Sequence, residues 1–273
     1  MSTRATSRRD RWAAALQRPG LAKVPEVTVF FWVAKVLTTG MGEATSDFLV
    51  QRLGPGVAIP MAGVVLAVSL VLQFRADRYV AWIYWFAVAM VAVFGTMAAD
   101  VLHVGLGIPY AVSTTFFAVV LAVVFVAWHR TEGTLSIHSI ITPRREAFYW
   151  VTVMVTFALG TAAGDLTATT MGLGYWASGL VFAGIIAIPA VGYWKFGLNE
   201  VVAFWFAYIV TRPLGASFAD WMAVAHHRGG LAWGPGVVSL VLSVLIVGLV
   251  AYLSVARPDI QPAVVTPPAR GSS

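Results

Sequence analysis

Long apolar stretches, interrupted at intervals by short Gly-, Pro- or Arg-containing segments, run along nearly the whole chain. Eight are long enough to cross about 30 Å of hydrocarbon at 1.5 Å per helical residue. The pattern predicts helices over about 27–50, 57–74, 80–101, 110–128, 148–170, 175–194, 201–222 and 237–256. The odd-numbered stretches carry ionisable residues inside the apolar run, and the even-numbered ones carry none. In each charged stretch an aromatic pair ending in Trp is followed, at constant distance, by Gly and then Asp. The copies are Phe31-Trp32 with Gly42 and Asp47, Tyr84-Trp85 with Gly95 and Asp100, Tyr149-Trp150 with Gly160 and Asp165, and Phe204-Trp205 with Gly215 and Asp220. The pattern [FY]-W-x9-G-x4-D needs no gap, and with Trp at only 11 of 273 residues chance does not account for it. The chain is an internal fourfold repeat.

The units run over about 24–79, 80–143, 144–200 and 201–257, between a basic tail at 1–23 and a Pro-, Ala- and Ser-rich tail at 258–273 that is expected to be disordered. Two spans per unit bring every unit in the same way round, so parallel repeats about an axis along the membrane normal are expected. The fold class is an all-α integral membrane protein of about eight transmembrane helices, arranged as four parallel two-helix repeats. After the aspartate, copies two and three share Gly105-Leu106-Gly107, Tyr110 and Ser113 against Gly172-Leu173-Gly174, Tyr175 and Ser178. Copies one and four share Gly54-Pro55-Gly56 and Gly234-Pro235-Gly236, which should end one helix and start the next.

Composition agrees with the pattern: 59% of residues are hydrophobic and 11% charged, too little polar surface for a soluble globule of this length. The net charge of +6 is segregated by side. With the N-terminus cytoplasmic, fourteen Lys and Arg fall on inner segments and only Arg52 and Arg228 on outer loops, which puts both termini in the cytoplasm and the chain in the cell (inner, cytoplasmic) membrane. The basic balance thus reports topology, and nucleic acid is excluded as a partner. Zero cysteines remove disulfides, thiolate metal sites and a cysteine nucleophile together.

Lys23-Val24-Pro25-Glu26-Val27-Thr28, Gly42-Glu43-Ala44 with Asp47, Glu132-Gly133-Thr134-Leu135-Ser136-Ile137-His138, Gly160-Thr161-Ala162-Ala163-Gly164-Asp165-Leu166 and Thr211-Arg212-Pro213-Leu214-Gly215-Ala216-Ser217 are further signatures. With them, residues 23 to 256 resemble a bacterial family of uncharacterised multi-spanning, membrane-anchored proteins built from four copies of a repeat of unknown function. The resemblance implies the repeat and the membrane location, and brings no catalytic or binding residues with it.

A carboxylate within a span costs several kcal/mol unless it is paired, solvated or protonated. If the four charged helices surround one axis, Asp47, Asp100, Asp165 and Asp220 form an acidic ring suited to a cation. Fifteen helical residues span about 22 Å, however, so an interfacial Trp leaves each Asp near the outer boundary, where it can meet water or anchor a neighbouring helix end. Both readings stand. Glu43 lies one turn before Asp47 on the same face, and Arg212, beside Pro213, is a mid-span cation placed to pair with Glu43 or an aspartate. Lys35 is expected to snorkel to the cytoplasmic interface, the aromatic pairs to anchor there, and the repeat glycines to mark close helix contact. Asp100 and His103 have the spacing of a metal-binding helix face, with His226-His227 as further ligands.

The leading reading is a transporter or channel for a small cation or small polar solute, its path lined by the acidic first helices. A membrane-embedded metal-dependent enzyme is the second, and a membrane sensor or scaffold using the 129–147 loop is the third. No sequence feature calls for a cofactor. The partners are the lipid bilayer and the small solute, and a homo-oligomer stays open.

Overall fold

The computed structural model describes residues 22–260. Eight long helices dominate them: α1 (Val29–Leu53), α2 (Pro55–Arg75), α3 (Ala81–Asp100), α4 (Tyr110–Glu132), α5 (Pro143–Asp165), α6 (Gly174–Phe196), α7 (Glu200–Ala223) and α8 (Pro235–Ala256), with no strand among the described residues. All but α1 are long and apolar enough to cross a membrane. The 25-residue α1 differs because Lys35, Glu43 and Asp47 interrupt its apolar run.

Local chemistry sets the helix ends. Thr28 and Thr142 accept hydrogen bonds from the third residue onward, Phe31 N and Arg145 N, and Asn199 accepts from Val201 N and Val202 N. Gly54 and Gly234 adopt φ of 75° and 80°, and each is followed by Pro at the first helical position. In copy one this Gly-Pro-Gly turn leads straight from α1 into α2, whereas in copy four a segment with a 3-10 turn at His226–Arg228 lies between α7 and it. In the other two, a π turn follows the aspartate, at Val101–Gly105 and Leu166–Thr170.

Helices α1, α3, α5 and α7 form a closed inner ring in which α1 touches α3 and α7, and α5 touches the same two. The outer helices α2, α4, α6 and α8 lie outside it. Each packs chiefly on the inner helix of the following copy: α2 on α3, α4 on α5, α6 on α7 and α8 back on α1. The two helices of one copy are therefore not each other's main partners, and α8 closes the circle. In the apolar windows 61% of α3, α5 and α7 is buried, against 17% to 28% for the outer helices, whose free faces are rich in Val, Leu, Ile and Phe.

The aromatic, Trp and Gly of the repeat are each a contact between consecutive copies. The first aromatic of one copy meets the Trp of the next: Phe31 with Trp85 (5.8 Å between ring centroids), Tyr84 with Trp150 (5.7 Å), Tyr149 with Trp205 (6.2 Å) and Phe204 with Trp32 (5.8 Å). The glycine of one copy receives the residue three before the glycine of the next. A side chain at Gly42 would strike Ala92, at Gly95 Phe157, at Gly160 Arg212 and at Gly215 Thr39. Glycine lets adjoining backbones approach closely, which is how membrane helices pack when no hydrophobic drive separates helix from lipid.

The aromatic pairs are thus core residues, and the expectation that they anchor at an interface is corrected: Trp85, Trp150 and Trp205 are buried in the main apolar cluster. Of the tails, Lys23 at the N-terminal side is buried, and so is Asp259, against the expectation of disorder after Arg257. Residues 1–21 and 261–273 of those tails lie outside the described residues.

Replacing Gly95 with Ala, whose Cβ would stand 2.8 Å from that of Phe157, should destabilise the protein by about 1–3 kcal/mol. Gly184, inside α6 with open space at its Cβ position, is the control. Gly184→Ala should be neutral or stabilise by about 0.5–1 kcal/mol, and thermal unfolding in detergent compares the two.

Candidate functional site

Backbone bonds from Lys23 N to Ile140 O, Tyr79 N to Ala22 O and Glu26 N to Asp259 O gather the segments before α1, α3 and α5 and after α8 at one end of the bundle, here the terminal end. The inner helices run from there toward their aspartates. Four polar layers succeed one another along the ring, and repeat register explains which residues share a layer.

At mid-height lies Arg212 of α7, fully buried. It stands three residues before its repeat glycine and so projects over Gly160 of α5. The residue just after the glycine is Glu43, Thr96 and Thr161 in the first three copies, and all three side chains converge on its guanidinium. Nη2 lies 2.7 Å from Glu43 Oε2, donates to Thr161 Oγ1 at 2.7 Å and meets Thr96 Oγ1. Nη1 donates to the Thr39 carbonyl (3.0 Å) and Nε to the Phe157 carbonyl (3.4 Å), while the Phe157 ring lies 4.9 Å from the guanidinium carbon. Thr96 and Thr161 also donate to Glu43 Oε2, at 3.2 and 3.4 Å. All four inner helices therefore meet at one charge-assisted node. Arg212 and Glu43 were legible in the sequence as unusual charges. Thr96 and Thr161 were not singled out, although their register with Glu43 was there to be read.

Toward the terminal end comes Lys35. Its Nζ lies 4.0 Å from the Phe157 ring centre and 3.8 Å from that of Tyr208, fully buried and without a hydrogen-bond partner among the described residues. The expected snorkelling is thus corrected: α1 belongs to the inner ring, and the lysine faces the axis rather than an interface. Beyond it the Tyr84 and Tyr149 hydroxyls meet at 2.5 Å.

On the other side of the Arg212 node, one turn past Glu43, stand the repeat aspartates. Asp47, Asp100 and Asp165 are half-buried and Asp220 is buried. They lie within electrostatic reach of Glu43, and Asp100, Asp165 and Asp220 also within that of Asp47. Among the described residues none of the four carboxylates takes part in an ion pair or a side-chain hydrogen bond. They neither cap a neighbouring helix nor hold a serine. Arg228, in the segment between α7 and α8, bonds the Tyr175 hydroxyl at 2.8 Å and lies within electrostatic reach of Asp47 and Asp165.

The metal-binding spacing does not gather ligands. His103 Nδ1 pairs with Ser113 Oγ at 2.9 Å, its ring packs 4.5 Å from that of Tyr110, and His226 Nδ1 turns to the Gly230 carbonyl at 2.9 Å. No three His, Asp or Glu side chains come together as a metal site among the described residues. In copy three Ala168 stands where His103 does in copy two, and the Ser178 hydroxyl is left buried without a partner.

A second polar cluster, missed by sequence reasoning, closes the terminal end. Fully buried Glu146 accepts from Lys23 Nζ (2.7 Å) and Gln73 Nε2 (3.0 Å). The 129–147 segment folds onto the same end: Ile137 and Ile140 are buried, Leu135 O accepts from Trp205 Nε1 at 2.9 Å, and Glu132 pairs with Arg144 and Arg145. Nearby, the Tyr79 hydroxyl donates to Asp259 Oδ2 at 2.5 Å. Burial, and then the bond and charge of Asp259, hold that hydroxyl well above the ordinary phenol range.

The family model described as Repeat of Unknown Function (DUF347) matches four times, over residues 30–79, 83–134, 148–197 and 203–258. Each match takes in one inner helix and the outer helix that follows it. No curated protein and no solved structure matches the chain.

Removing either member of a buried ion pair strands the other, at a cost of about 3–5 kcal/mol. Glu43→Gln and Arg212→Met should each lower unfolding stability by that amount, and the double variant should lose less than the two losses summed, as a thermal unfolding cycle would read. At the terminal end Tyr79→Phe should cost about 1.5–3 kcal/mol at pH 8. Because the folded-state affinity of Tyr79 for its proton is raised, its contribution is complete below about pH 10 and declines as the pH rises further. The difference between wild type and Tyr79→Phe should narrow accordingly.

Proposed function

The chain belongs to the DUF347 repeat family, and we propose that it is a multi-pass transporter of small cations in the cell membrane, with both termini cytoplasmic and the path running along the axis of the inner ring. The observation that carries this reading is the set of four equivalent aspartates, one from each inner helix, mutually close, near Glu43 and free of protein partners. An acid in a span is costly unless it is paired, solvated or protonated, and four copies without protein partners call for a shared wet space beside them. A shared vestibule of carboxylates concentrates cations at its mouth.

Beneath the vestibule the Arg212 node spans the ring, with Lys35 below it. The bonded side chains of the node fill the axis, so this conformation is the closed one, and opening requires Arg212 to exchange its partners. The four threonine and backbone acceptors around it give the guanidinium an alternative to Glu43, which favours rearrangement over complete loss of bonding. The apolar outer helices serve as the lipid-facing scaffold.

Proteoliposomes loaded for sodium-22, rubidium-86 and proton flux test the reading. The wild type should carry at least one of these ions above empty vesicles, and Asp47→Asn and Asp165→Asn should each reduce that flux at least tenfold. Unchanged flux in both variants would remove the acids from the mechanism.

A further inference from the structure

A cavity of about 480 Å³ lies at the terminal end, between α1, outer helix α6, α7 and the segment after α4. It is separate from the aspartate vestibule and owes nothing to the transport reading. Its volume is that of a drug-sized binding site. Its walls are aromatic and apolar, with Trp32, Tyr193 and Phe204 among them, and its polar members are two acids, Glu26 and Glu200, with His138 and Ser136. Among the described residues no Lys or Arg lines it. Glu200 forms no ion pair among the described residues, and Glu26 has only His138, at 3.4 Å and partly exposed. Two carboxylates beside aromatic faces, with no arginine or lysine among the described residues to neutralise them, match one ligand chemistry: a positive charge on a bulky apolar body, held by the acids and by cation–π contact.

We propose that this cavity binds a monovalent organic cation of the lipophilic ammonium or phosphonium class. An acyl chain would fill the apolar walls and leave the acids idle, and an organic anion would be repelled by them. The cavity lies where the fourth copy meets the first, against the Phe204–Trp32 contact that closes the ring. An occupant would bear on the joint between first and last copies.

Tetraphenylphosphonium and tetraphenylborate have nearly the same shape and opposite charge. Equilibrium dialysis of the full chain in detergent, against matched empty micelles, should show saturable binding of the phosphonium at least tenfold tighter than of the borate. The double variant Glu26→Gln/Glu200→Gln should weaken phosphonium binding about tenfold. Ala190→Trp, which fills the cavity from an exposed position on α6, should abolish it while leaving the unfolding temperature unchanged. Equal binding of the two ions would overturn the proposal in favour of a merely apolar hole. Phosphonium binding that survives Ala190→Trp would place any site elsewhere and overturn it equally.

Discussion

A guanidinium with no exposure to solvent must find every hydrogen-bond partner within the protein, and Arg212 finds them on all three of the other inner helices. That demand organises the centre of the molecule. Glu43 supplies the opposite charge, Thr96 and Thr161 the hydroxyls, and Thr39 and Phe157 the carbonyls. Such a pair in a low-dielectric interior is balanced between desolvation and attraction, so its geometry matters more than its net strength. Meeting at one point, the four helices have a single height and rotation at which the node is satisfied.

Close approach is what makes the node reachable. Each repeat glycine opens a notch for a side chain from the following copy, and at Gly160 that side chain is Arg212. The same head-to-tail relation recurs in the aromatic pairs and in the packing of each outer helix on the next inner one. A heterologous contact repeated with one rotation either propagates or closes, and here it closes after four copies within one chain. Each copy packs mainly on the next rather than on itself, so the burial of its apolar surface depends on its neighbours in the ring.

Symmetry and its departures divide the work. The shared letters, aromatic, Trp and Gly, are the contacts between copies, and the shared Asp lies one turn beyond the Arg212 node without a protein partner among the described residues. The unshared residues, Glu43, Arg212 and Lys35, sit on the axis, where a fourfold-identical charge would meet its own copies. Only by differing between copies can neighbouring helices supply a cation to one side of a bond and an anion to the other.

The helices and the fourfold repeat were determined by the sequence itself, because hydrophobic run length and fixed spacing are local properties. Arg212 and Glu43 were legible for the same reason: a charge inside an apolar run is conspicuous wherever it points. Tertiary structure alone decided direction. Lys35 could have reached an interface and instead faces the axis, because α1 closes the ring against α7. The tryptophans could have met lipid and instead fill the core, because each packs on an aromatic ring of a neighbouring copy. His103 stands three residues from Asp100 yet turns to Ser113, since a π turn follows the aspartate. Thr96 and Thr161 are ordinary residues until a glycine-mediated approach brings them to a guanidinium on another helix. Periodicity encodes what one helix does with its environment; which helix supplies that environment depends on how the ring closes, and no single segment carries that information.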